Sequence, residues 1–172
     1  MTTASSTVST FLDHIRRRAE AAGVFGVVAI EGERLECAAL ASAEPASYRV
    51  VFENGAWNVA LVTEDRWLSE SIEADLMHTG DPIEELIEEE LVELGWSDGA
   101  LVVKHYRSDD LLYTFRSPIP GADPADERAA ARVATCLLAY EAAFRELGCV
   151  LPTFTTAKPK HNFVSNLAVG WM

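Results

Sequence analysis

The dipeptide Asn54-Gly55 constrains what this chain can fold into more than any other feature of it. Both residues tolerate the positive φ angles of a two-residue type I′ turn, whose twist matches that of two antiparallel strands. The flanking residues alternate as a half-buried hairpin requires. Tyr48, Val50 and Phe52 fall on one face of the segment Tyr48–Glu53, and Trp57, Val59 and Leu61 alternate in the same way along Ala56–Thr63. A chain that reverses here builds an antiparallel sheet, and other segments must extend it.

Two more hairpins do so. Val24–Ile30 and Arg34–Leu40 flank Glu31-Gly32-Glu33, and Leu101–Arg107 and Leu111–Arg116 flank Ser108-Asp109-Asp110, with Pro118 and Pro120 stopping the last strand. Ser42–Ser47 is a connection containing Pro45. Helical spacing takes the rest. Phe11, Leu12, Ile15, Ala19 and Ala22 line a helix that Thr10 and Asp13 open as a capping box and Gly23 ends. Arg66–Met77 carries Trp67, Leu68, Ile72, Leu76 and Met77 as its apolar set, and Gly80 breaks it. Asp81-Pro82 marks the next start, because the carboxylate can cap free amides and proline suits the first helical position. Ile83, Leu86, Ile87, Leu91 and Leu94 then recur at helical spacing up to Gly95. Asp123-Pro124 opens the longest helix, striped by Val133, Leu137, Tyr140, Phe144 and Leu147 and ended by Gly148. This order predicts an α+β fold: an antiparallel sheet of hairpins packed against helices, with a long C-terminal helix and an irregular tail. Residues 1–9 read as a flexible lead, 10–148 as one domain and 149–172 as an apolar, basic tail.

Composition agrees with one globular domain. The 172 residues, 49% of them apolar, suffice to bury roughly 70% of the unfolded surface, which excludes disorder throughout. The longest nearly apolar run, Gly23 to Ile30, is too short for a membrane span. Three cysteines without C-x-x-C spacing and an N-terminus without an apolar signal region point to reduced thiols in the cytoplasm.

Charge is the uneven property. The net charge is −13, and the window Glu64 to Asp98 holds thirteen acidic residues against one basic residue, Arg66. Such a body repels a phosphate backbone, so nucleic-acid binding is not expected. Glu84, Glu85, Glu88 and Glu89 fall opposite the Ile83/Ile87/Leu91 stripe, on a face suited to water or to a basic partner. Glu90 projects from the apolar stripe and needs a counter-ion there, for which Arg116 is the candidate. No dinucleotide, P-loop or nucleophile-elbow motif occurs, and no cofactor is implied. His78, Asp81 and Glu90 are the groups an active site would have to bring together; Ser69 and Ser71 read as surface residues. The tail is apolar through Phe154, Phe163 and Trp171 and carries only Lys158 and Lys160 as charges after Glu146. It is expected to dock on the acidic body or on a neighbour.

The stretch Leu111-Leu112-Tyr113-Thr114-Phe115-Arg116-Ser117-Pro118, leading into Leu137-Leu138-Ala139-Tyr140, is similar to the strand–proline–long-helix segment of the type III secretion chaperone-like fold, including its YbjN-type bacterial relatives. The element order over residues 10–148 resembles that family, apart from an extra middle helix at 81–94 and the tail. The resemblance implies a small, acidic, non-enzymatic bacterial protein that homodimerises and binds another polypeptide along an exposed sheet or groove. The residue pattern carries over no functional residue. The expectation is therefore a chaperone- or adaptor-like protein-binding module, engaging a basic or amphipathic partner through Glu84, Glu85, Glu88, Glu89, Phe154, Phe163 and Trp171. The alternative is a small-molecule-binding domain or enzyme with its pocket between sheet and helices.

Overall fold

Asn54 and Gly55 sit at φ 54° and 79°, and the strands they join pair Phe52 with Trp57, Val50 with Val59 and Tyr48 with Leu61. The computed structural model describes residues 3–148. In chain order these form α1 (Thr3–Ala22), β1 (Phe25–Glu31), β2 (Arg34–Ala39), β3 (Ser47–Glu53), β4 (Ala56–Thr63), α2 (Arg66–Thr79), α3 (Ile83–Glu93), β5 (Lys104–Arg107), β6 (Tyr113–Pro118) and α4 (Ala129–Arg145). The six strands form one antiparallel sheet in the order β1-β2-β3-β4-β6-β5. The fold is α+β, with a long C-terminal helix.

Register sorts the side chains into two faces. Cys37, Tyr48, Leu61, Phe115 and His105 form one cross-strand row, and Leu35, Val50, Val59 and Ser117 the next. The helices meet this face. Phe144 of α4 approaches Phe115 at 5.2 Å between ring centroids, Tyr140 bonds Ser117, and Phe11 of α1 lies 4.9 Å from Trp57. The opposite face carries Glu36, Arg49, Ala60, Arg116 and Lys104 in one row. The two arginines of that row are paired within the sheet: Arg49 to Glu36 and Arg116 to Glu53, both at 2.7 Å, with the Arg116 guanidinium also over the Tyr106 ring.

α4 is the central helix. The expected stripe of Val133, Leu137, Tyr140, Phe144 and Leu147 is buried, but so are Ala130, Ala134, Cys136, Ala139 and Ala143. α4 packs on the sheet beneath and on α1 and α3 at its sides; its alanines allow that close approach, so burial extends far round it.

The ends of several elements differ from expectation. α1 begins at Thr3, so residues 3–9, expected as a lead, are helical, and the Thr10 hydroxyl donates back to the Ser6 carbonyl instead of opening the helix. α4 begins at Ala129: Asp123 and Asp126 cap short turns before it, through the Ala125 and Arg128 amides. Pro82, not Asp81, is the residue before α3, without a side-chain cap. Asp65 does cap α2, accepting from the Leu68 amide at 2.8 Å. Of the apolar sets, Leu68 and Ile72 of α2 are buried while Trp67 and Met77 are 75% and 85% exposed, and Leu94 also faces out. The tail 149–172, with Phe154, Phe163, Trp171 and Cys149, lies outside the described residues.

Candidate interaction surface

Ile83, Ile87 and Leu91 recur every four residues and are buried where α3 packs on α4. That spacing turns the acidic side of α3 outward. Glu85, Glu88, Glu89 and Glu93 gather with Val92, itself 61% exposed, around a shallow depression of about 480 Å³. Glu84, the fourth residue of the expected docking set, sits apart: its Oε1 accepts from the Val103 amide at 3.4 Å. Elsewhere several acidic side chains have cations. Arg16 holds Asp13 and Glu20, Arg34 holds Glu31, Arg49 holds Glu36, Arg66 holds Glu70, and Arg132 holds Asp98. Among the described residues, no glutamate of α3 takes part in an ion pair.

Glu90 is not the buried paired carboxylate that its place on the stripe predicts. It is half-buried, without an ion pair among the described residues, and Arg116 lies on the far face of the sheet with Glu53. The buried carboxylate is Glu141 on α4, its side chain 4% exposed, held by Arg145 at 2.5 Å. Burial pushes the Glu141 carboxyl above its ordinary range; the bond and charge of Arg145 oppose that shift, and the Glu90 charge adds to it. Glu141 follows Leu137 by four residues, so the helical arithmetic that singles out Glu90 reaches it too.

Between sheet and helices, Glu141, Arg145, Tyr48 and Ser42 line a cavity of only about 10 Å³, room for about one water. His78 and Asp81 are exposed, and neither they nor Glu90 line this cavity or the α3 depression. Cys37 and Cys136 are buried thiols whose pKa values burial pushes up to about 12. Both are therefore poor nucleophiles.

A constellation that sequence reasoning misses joins α2 to the edge strand β5. Ser69 Oγ lies 3.2 Å from His105 Nε2, and His105 Nδ1 lies 2.9 Å from Glu73 Oε1. The imidazole stacks on Phe115 at 3.9 Å. Hydroxyl, imidazole and carboxylate in that order resemble a nucleophile, its base and the group that orients the base. Access argues otherwise. Ser69 is 2% exposed within α2 rather than on the surface where it was expected. The nearby amides of Leu68 and Ser69 are engaged by Asp65, so they cannot serve as oxyanion donors. The arrangement can clamp β5 to α2. The spacing Ser69–Glu73 is one helical turn, but only the tertiary fold brings His105 to it.

Among the described residues no three His, Cys, Asp or Glu side chains converge as a metal site, and no helix is long and apolar enough to cross a membrane. No family model, curated protein or solved structure matches the chain.

Proposed function

We propose that the chain is a non-enzymatic protein-binding module, chaperone- or adaptor-like, that receives a basic, amphipathic segment of another polypeptide on the outer side of α3. The observation that carries this reading is the set Glu85, Glu88, Glu89 and Glu93 around exposed Val92, with no ion pair to any of the four among the described residues. Like charges one helical turn apart, as in Glu85/Glu89 and Glu89/Glu93, each destabilise a helix by a few tenths of a kcal/mol. A basic partner removes that cost and is steered to the face by the surrounding field. Val92, which lines the same depression, offers an apolar contact. The element order, which resembles that of chaperone-like proteins, supports the reading, and so does the small cavity between sheet and helices. Buried thiols at Cys37 and Cys136 suit a reducing compartment, here the cytoplasm.

The test is a native pull-down with the full chain, identification of bound proteins by mass spectrometry, and measurement of their association rates in rising salt. The expected rate falls steeply with salt and collapses when Glu85, Glu88, Glu89 and Glu93 are all changed to Lys. A rate indifferent to both treatments overturns the proposal.

A second reading, an acyl-transfer enzyme, is favoured only by the order Ser69, His105, Glu73, and the burial of Ser69 weighs against it.

A further inference from the structure

We propose that the outward stripe of α2, formed by Trp67, Glu70, Ala74 and Met77, is the docking site of this chain's own segment 149–172. The four residues stand at i, i+3, i+7 and i+10, the spacing of a seam that meets a partner. All four are exposed, Trp67 and Met77 almost fully. An exposed tryptophan and methionine on one short helix are what interfaces enrich and solvated surfaces avoid.

The exit point of the chain indicates the occupant. The Gly148 amide donates to Asp75 Oδ2 of α2 at 2.7 Å. Its α-carbon is pressed so closely on the same helix that a β-carbon would meet Leu68 Cδ1 at 2.9 Å and Ile72 Cγ1 at 3.0 Å. The polypeptide therefore leaves the described fold in contact with α2. Distance is no obstacle: fourteen helical residues span about 21 Å, whereas 24 residues can extend to about 80 Å.

Chemistry matches on both sides. Segment 149–172 contains Phe154, Phe163 and Trp171, apolar groups suited to Trp67 and Met77, whose thioether favours aromatic contact. Its only charges are Lys158 and Lys160, and it would lie on a region with thirteen acids to one base. Glu70 places a carboxylate inside the stripe itself, paired with the exposed Arg66 at 2.7 Å, an ion pair the lysines would compete for. Tethering also raises the effective concentration of the segment into the millimolar range, so modest contacts suffice. The stripe belongs to α2 and the proposed partner face to α3, so this inference stands or falls without any partner protein.

The experiment uses the full chain with Phe154 or Phe163 replaced by photoreactive benzoylphenylalanine, in separate preparations that mix isotopically light and heavy protein. After irradiation, mass spectrometry maps the adducts. The expected adduct joins the probe to residues 67–77 of the same chain. It drops several-fold in the W67E and M77E variants, and at 1 M salt, where the Debye length is about 3 Å. Both substitutions replace exposed side chains, and unchanged melting of each variant checks that the fold is intact. Adducts at neither position, adducts elsewhere in the chain, or light–heavy adducts that give the stripe to a second copy would each overturn the assignment.

Discussion

Tyr140 of α4 and Ser117 of β6 share a hydrogen bond of 2.5 Å between two hydroxyls buried in residues with no solvent exposure. It is the polar pin between the central helix and the sheet. Burial pushes the Tyr140 phenol up, well clear of ionisation at neutral pH, and the bond to Ser117 opposes that only in part. Y140F keeps the ring but leaves the Ser117 hydroxyl unpaired, and S117A leaves the phenol unpaired. Each is expected to cost about 1–3 kcal/mol. The double variant loses less than the sum, because the second substitution removes the group that the first had orphaned. Urea denaturation of the four proteins measures this; strict additivity would show that the contact contributes nothing.

Glu141 makes stability depend on pH in an unusual direction. Its carboxyl is raised above the ordinary value of 4.5, with burial the leading cause. The native state therefore holds this proton more tightly than the unfolded chain does, and Glu141 lowers stability as pH rises through that window. E141Q carries no such charge. Its stability relative to wild type is expected to improve steadily as pH climbs above 4.5, followed by thermal melts at several pH values. E90Q should weaken the same trend, since the Glu90 charge contributes to the shift. Lacking an ion pair among the described residues, Glu90 itself should cost only about 0.5 kcal/mol when truncated. A difference between E141Q and wild type that is flat in pH would remove the buried charge from the account.

What was legible in the sequence was local. Asn54-Gly55 specified a turn that only a few residue pairs accept, and alternation then assigned Tyr48 and Trp57 to the core face without tertiary information. The element order followed from similar punctuation at Gly23, Gly80 and Gly95. Helix orientation was legible only where the stripe was continuous, as in Ile83/Ile87/Leu91. Trp67 and Met77 share α2 with the equally apolar Leu68 and Ile72, and periodicity cannot decide which set faces the sheet. Glu141 is not singled out by pattern, because a single acid inside an apolar run looks like an edge residue until the cavity it shares with Tyr48, Leu68 and Ile72 is on view. Ser69 and His105 lie 36 positions apart, so no spacing rule joins them. Their juxtaposition comes from strand order, with β5 placed beyond β6 and under α2.

That juxtaposition has its own consequence. His105 is drawn below its ordinary value of 6.5, chiefly by burial, while the Glu73 charge opposes the shift. The unfolded chain then binds the proton more readily than the native state. The resulting contribution is present above 6.5 and is lost as pH falls through the lowered native value. Wild type is expected to lose stability on acidification from pH 7.5 to 5 more steeply than H105Q, read as the difference in melting temperature. Chemistry at Ser69 is tested on the same proteins with a fluorophosphonate probe. Ser69, a residue 2% exposed whose own amide and that of Leu68 are engaged by Asp65, should not react. Labelling of Ser69 that H105Q abolishes would make His105 a general base and the chain an enzyme. No labelling, together with the shallower acid loss in H105Q, leaves Ser69, His105 and Glu73 as the clamp that holds the edge strand β5 against α2.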